Sequence, residues 1–560
     1  MGRDPAGGDA FVFDLIDDGA GDDDALDAPP RPDLSLPDGA ADGGPDDASE
    51  MGDGGRADPV VPTGATRWLR LLAPVAAVLA VVLGTGFALD GVRTVQQLDR
   101  IRSVRGGVAD LSSPLAERWA WEGAVGTGGF EAYWGSVQVA ALGDLLVFVS
   151  DDELLALEPA TGAEAWSVPL GDLPDCGPTG YPGGADLTTV SVVCLQGAPE
   201  EREVMVVGPD GAASEPRLLD PADTRRYGSA RPGPDGTVLR ARRVGDTSAV
   251  DLADAVCSPT GECTGTVTSG RDITLRAEDA VTGAERWSVT APFVATPAAN
   301  CNPWQGGGPW GEVSDPVSDD PLQPEAFGAH ISGDLVALNG CGANASVTSD
   351  GELLRGAVPS GASGIVGLST GGYLASGFDS TTDTVVYSAD GEVLGTVAGY
   401  AVEAAVVDGA GLVLSWDKDA PGVHAYEPDG TPRWDARETD TFQFAAEVGE
   451  TAVVVASRGE VRGLDVATGD RRWALDIAKG ADGESDVRFL FRAFTDGRHV
   501  LLLLHDETGR FDLVSLDTVS GELAWDVPIA DVLGPVQDPS LVAVGGRLLA
   551  VTQGGVRGLG

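Results

Sequence analysis

Positive charge is the scarcest component of this chain, and lysine is almost missing: only Lys418 and Lys479 occur among 560 residues. With 36 basic side chains against 87 acidic ones and a formal net charge of −51, no broad basic face is available for a phosphate backbone, which excludes nucleic-acid binding. Histidine is nearly as rare. The four copies, His330, His424, His499 and His505, are scattered, and none has metal-ligand spacing. Asp417-Lys418-Asp419 and Asp319-Asp320 are what chance produces in so acidic a chain. No Gly-x-Ser-x-Gly elbow is present and no phosphate-cradling glycine loop with a lysine, so the nucleophilic and nucleotide-binding motifs are excluded too. Aromatic residues are few, at 6%. Yet twelve of them are Trp, against fourteen Phe and seven Tyr, an excess that needs a structural reason.

Glycine (79) and proline (36) are abundant, which marks a turn-rich chain rather than a helical one. Charge divides it. Residues 1–66 hold seventeen acidic groups against Arg3, Arg31 and Arg56, a net of −14. They have no sustained apolar period and cannot offset their ordering entropy, so a disordered acidic tail is expected. One apolar run within it, Phe11-Val12-Phe13-Asp14-Leu15-Ile16, reads either as a linear motif for a basic cytoplasmic partner or as a residual apolar patch.

Residues 71–89 carry no charge over nineteen positions, enough for a helix of roughly 28 Å against a hydrocarbon core of about 30 Å. Trp68 stands at one edge, where an amphipathic ring favours the interface. The acidic tail in front argues against a cleaved signal peptide. A single-pass helix over 67–90 is therefore expected, followed by a stalk or linker over 91–114. Arginines flank both sides, and cysteine decides the orientation. All six Cys, at 176, 194, 257, 263, 301 and 341, follow the span, and an even set suits an oxidising compartment. The tail is assigned to the cytoplasm and residues 115–560 to the outside of the cell membrane. Short loop closure suggests pairs Cys176–Cys194, Cys257–Cys263 and Cys301–Cys341, out of fifteen pairings possible for six cysteines.

Internal repetition decides the fold class. A short apolar strand, an acidic or polar residue, Thr/Ser/Asp-Gly and a Trp recur in order: Thr161-Gly162 to Trp166, Thr282-Gly283 to Trp287, Asp429-Gly430 to Trp434, Thr468-Gly469 to Trp473, and Ser520-Gly521 to Trp525. Copies without Trp stand at Asp210-Gly211, Asp350-Gly351 and Asp390-Gly391. β-Branched runs form strands and Thr-Gly or Asp-Gly supplies the positive φ of a hairpin. A unit of roughly 40–50 residues with about four strands is a propeller blade. The recurring Trp would then pack against the neighbouring blade. Trp119 belongs to the same set, because the chain ends on Val556-Arg557-Gly558-Leu559, half a unit whose other half, ending in Trp119, lies near the start. One blade shared between both ends is expected to seal the ring.

The pattern resembles the PQQ-like β-propeller repeat family, the quinoprotein-type superbarrel, over 115–560, most closely at 461–473 and 513–525. The resemblance implies an all-β fold: one propeller of about eight four-stranded blades, closed by pairing of the terminal strands. It also raises quinone-dependent dehydrogenase activity. Such enzymes are associated with an adjacent Cys-Cys pair, a Trp platform and a Glu/Asn/Asp calcium set. No position of this sequence can be matched to them, so no cofactor and no catalytic or metal residue is assigned. Residues 298–328 form an insertion with Cys301, Trp304, Gly306-Gly307-Gly308, Trp310 and five acidic groups. It reads as a loop presenting Trp304 and Trp310 to a partner or glycan, or as a tethered loop covering a blade edge. The expected function is a non-enzymatic, membrane-anchored propeller binding a protein or envelope polymer, with a transmembrane sensor as the alternative and an oxidoreductase as the third reading.

Overall fold

The computed structural model describes residues 100–560 apart from short internal stretches, the longest being 302–324. The expected tail and the span at 71–89 lie outside the described residues. Among the described residues, no helix is long and apolar enough to cross a membrane.

The described chain is all-β. Nine successive antiparallel sheets of three or four strands make up its bulk among the described residues, two of them extended by a short parallel strand. That is one more than the eight expected. All three Trp-less repeat copies build a sheet, and with the five Trp copies and the shared blade they make nine. The first sheet begins at Ala140–Leu142 and ends at Glu164–Pro169, and the eighth runs from Arg488–Thr495 to Leu523–Pro528. In the ninth, Glu117–Glu122 from the start of the domain pairs antiparallel with Gly555–Leu559 from its end, Trp119 opposite Gly558.

The Asp-x-x-Thr/Ser-Gly turns share one construction. The acidic residue that ends the third strand accepts hydrogen bonds from the turn: Asp279 takes the Thr282 N–H at 2.8 Å and its hydroxyl at 2.9 Å, and Asp517 takes the N–H groups of Val519 and Ser520 at 3.0 Å each. This closes an Asx-type turn and lets Gly follow at positive φ. Such glycines also leave room for a neighbour. A Cβ built on Gly211 (φ +76°) would stand 2.6 Å from Cγ of Trp166, so the position admits no side chain.

The fourth strand of one sheet thereby lays its Trp on the turn of the next. Indole N–H groups donate to turn carbonyls: Trp119 to Pro159 at 3.1 Å, Trp166 to Pro209 at 3.1 Å, Trp287 to Ser349 at 2.7 Å, Trp434 to Val466 at 2.8 Å and Trp473 to Thr518 at 2.9 Å. Where Trp is missing the substitute differs. Arg217 lies at the Gly283 turn and donates Nε–H to the Ala280 carbonyl at 2.8 Å, Leu354 meets Gly391, and Gly395 meets Gly430. Apolar clusters fill the spaces between sheets, as where Val453, Val455 and Val461 meet Leu502, Leu504 and Val514.

The stretch expected as a linker does not end free of the sheets. Val108, Leu111 and Leu115 are buried with Phe494, Leu501, Trp525, Leu541 and Leu559, because their apolar side chains, three and four positions apart, fill the seam between the eighth and ninth sheets. Disulfides join Cys176–Cys194, Cys257–Cys263 and Cys301–Cys341.

Candidate binding surface

Most polar side chains with conspicuous geometry are occupied by architecture. Glu447 is fully buried, and its carboxylate accepts from the N–H groups of Ala410 and Leu412. Burial raises its pKa, against the pull of those N–H groups. His424 Nδ1 meets Asp435 at 2.8 Å, and His499 Nδ1 meets Asp496 at 3.0 Å. Asp496 also accepts from the Leu111 N–H at 2.9 Å, so that pair holds the docked stretch in place. Among the described residues, no three His, Cys, Asp or Glu side chains gather as a metal site. Trp304 and Trp310 lie outside the described residues.

The eighth sheet differs from the rest. Its first strand, Arg488–Thr495, reads RFLFRAFT, with an aromatic residue at every alternate position at its start. Register places Phe489 opposite His505, and His505 opposite Phe511, so three rings form a cross-strand ladder on one face. A register shift between Leu490 and Arg492 leaves Phe491 without a directly opposed residue, and such a bulge re-aims a side chain. Its ring meets that of Phe511 edge-on at 5.4 Å and that of His505 at 6.2 Å. Phe489 to His505 is 5.4 Å. Nevertheless Phe489 and Phe491 remain 38% and 37% exposed, whereas the following Phe494 is buried.

Charges around these rings are balanced. Arg488 reaches Asp512 at 3.5 Å and Asp526 at 3.7 Å, and Arg510 pairs with Asp506 at 2.7 Å. The Arg492 guanidinium stands 5.8 Å from the Phe491 ring centre. Burial raises the Asp512 pKa, opposed by the Arg488 charge. An aromatic centre with a paired ionic rim has the composition of a protein-contact patch. The alternation of Phe489 and Phe491 is visible in the sequence, but the ladder depends on cross-strand register with His505 and Phe511, which the sequence does not show.

The repeat geometry and the sheet order agree with a comparison of families. Residues 271–554, half of the chain, match the model described as "Outer membrane protein assembly factor BamB". The chain belongs to that family. Within the BamB family the PQQ-like repeat and the β-propeller-type fold follow. Two solved structures align along most of the chain. The crystal structure of BamB from Moraxella catarrhalis is 14% identical, covers 80% of this chain and 97% of its own, and has a TM-score of 0.33. The computationally designed Ika8 protein is 12% identical, with 79% and 99% covered and a TM-score of 0.32. No curated protein matches.

Proposed function

We propose that this BamB-family chain is a non-enzymatic, membrane-anchored propeller that binds a protein partner outside the cell, in a scaffold or assembly role. The observation that carries the reading is the aromatic group of Phe489, Phe491, His505 and Phe511 on the eighth sheet, of which Phe489 and Phe491 are exposed. Rings left half in solvent inside a neutral ionic rim gain by burial against another surface. The family description, an assembly factor, supports the same class. Pairing of Glu117–Glu122 with Gly555–Leu559 supports a ring sealed by its own termini. Anchoring rests on the uncharged stretch 71–89, and exterior placement on three disulfides with no free cysteine among the described residues.

The test is site-specific photo-crosslinking of the full-length chain in its own membranes. A benzophenone amino acid at position 489 or 491 should yield discrete adducts with one partner, while the same probe at Val519, which is 72% exposed, should not. Equal labelling at all three positions, or none at 489 and 491, would overturn the reading. Quinone- and calcium-dependent dye reduction by the purified chain would replace it with the oxidoreductase.

A further inference from the structure

A second surface, in the third sheet, has the opposite character to the bulk of the protein. The short helix α1, Pro221–Tyr227, crosses one face of that sheet just before the strand Ala230–Pro232. Its carboxyl end is surrounded by guanidinium groups. Arg242 donates Nη1–H to the main-chain carbonyls of both Arg225 and Arg226. Arg240, almost fully buried, donates to the Gly228 carbonyl at 3.1 Å. The Arg276 and Arg226 guanidinium carbons stand 4.1 and 4.9 Å from the centre of the Tyr227 ring.

Structure accounts for some of these arginines. Arg240 and Arg242 satisfy the last carbonyls of the helix, where cations also favour the dipole. Arg276 pairs with Glu285 at 3.1 Å, and Arg240 and Arg217 share Glu278 at 3.7 and 3.2 Å. Arg225 and Arg226 are different. Both are exposed, as is Arg242, and among the described residues no carboxylate lies within ion-pair distance of any of the three. In a chain with 87 acidic side chains and only 36 basic ones, several arginines elsewhere pair with a carboxylate, as Arg286, Arg433, Arg472 and Arg557 do. Arg225 and Arg226, with the Arg242 guanidinium set on their main-chain carbonyls, leave a local positive field on an acidic body.

We infer that the Arg225–Arg226–Arg242 face, with Tyr227 at its centre, is a docking site for an acidic peptide segment of a partner protein. Charge complementarity selects the occupant. The donors are spread over an exposed helix end and an adjacent strand instead of converging on one point. That arrangement suits several carboxylates along a chain better than a single phosphate. Guanidinium groups take carboxylates in bidentate fashion, and Arg and Tyr are enriched in protein contacts. This site lies on a different sheet from the aromatic group and does not depend on it.

The inference is tested with the full-length chain in zwitterionic nanodiscs and a short fluorescent poly-glutamate peptide, with poly-glutamine of the same length as control. Poly-glutamate should bind at low salt and weaken as salt rises, and poly-glutamine should not bind. The double variant Arg225→Gln/Arg226→Gln removes two exposed charges that have no carboxylate partner, one of them stacked 4.9 Å from the Tyr227 ring centre. It should weaken poly-glutamate binding about five- to tenfold, the sum of two exposed ion pairs, with the fold retained by circular dichroism. Arg471→Gln/Arg547→Gln, which neutralises two exposed arginines elsewhere, should bind as the parent does. Equal weakening in both double variants, or no binding by the parent, overturns the site. Preference for phosphatidylglycerol vesicles or inorganic phosphate over the peptide overturns the acidic-peptide assignment. Crosslinking at positions 489 and 491 is read separately, so either proposal can fail alone.

Discussion

Trp525 donates its indole N–H to the carbonyl of Leu111 at 2.8 Å, across 414 positions of chain. Every other repeat Trp docks on the turn of the next sheet, but the eighth sheet meets a segment from before the first. Ser515 donates to the same carbonyl at 2.9 Å. The amino-terminal stretch therefore supplies the acceptor that a turn supplies elsewhere. Trp525→Ala should cost about 3–5 kcal/mol, as for removal of a buried aromatic. Trp525→Phe, which keeps a six-membered ring but loses the donor and part of the packed surface, should cost less, about 1–3 kcal/mol. Denaturant unfolding of both variants distinguishes packing from hydrogen bonding.

Two glycines at positive φ should respond differently to alanine. Gly143 (φ +62°) has nothing within 4 Å of an added Cβ, whereas Gly211 (φ +76°) has Trp166 against it. Gly143→Ala should cost about 1–2 kcal/mol, the left-handed backbone penalty alone. Gly211→Ala should add about 1–3 kcal/mol of overpacking. Similar unfolding midpoints for both variants would refute the docking geometry.

Arg217 stands where other sheets place Trp, and it anchors Glu278, which is 2% exposed. Arg217→Ala leaves that carboxylate with Arg240 alone at 3.7 Å, and breaking a buried pair of this kind costs about 3–5 kcal/mol. The paired change Arg217→Met/Glu278→Gln should recover part of the loss. Arg498→Ala, at a guanidinium 72% exposed beside Asp517, should cost no more than about 1 kcal/mol.

Acid should loosen the turns first. Hydrogen bonds from Arg286 and then Thr282 hold the Asp279 pKa to about 2, against an ordinary value of 3.8. At Asp506 burial acts upward, but the Thr508 hydroxyl, the Arg510 N–H and the Arg510 guanidinium outweigh it and bring the pKa to about 2. A carboxylate whose folded pKa is depressed contributes stability above its unfolded pKa and loses it as pH falls through the folded one. Stability should therefore decline between pH 3.8 and pH 2. Glu447 has the opposite sign: its raised pKa means that protonation favours the fold, partly offsetting this decline. Denaturant midpoints across this range should fall less steeply for Asp506→Asn than for the parent chain.

The disulfides should differ in weight. Cys301–Cys341 spans 40 positions and Cys257–Cys263 spans six. On loop-closure entropy, Ser substitution of the first pair should cost about 4 kcal/mol and of the second about 2 kcal/mol. Unfolding of the two double-Ser variants without reductant measures the difference.

What sequence alone determined here was local and periodic. The Asp-x-x-Thr-Gly spacing dictates an Asx turn with a glycine at positive φ, because only nearest neighbours along the chain are involved. The half repeat at each end foretold that Glu117–Glu122 and Gly555–Leu559 share a sheet. Tertiary structure decided the contacts between distant residues that no repeat marks. A Trp was a legible docking residue, but Arg217, Leu354 and Gly395 were not, since what fills a seam is set by the space left by two sheets. The ninth sheet and the docking of Leu111 on Trp525 follow from the same fact. So do the two surfaces, because register across strands brings Phe489, His505 and Phe511 to one face. Helix packing on the sheet sets Arg242 beside Arg225 and Arg226. Exposure and ion pairing are properties of the assembled surface, and no period in the chain encodes which charges remain without a partner.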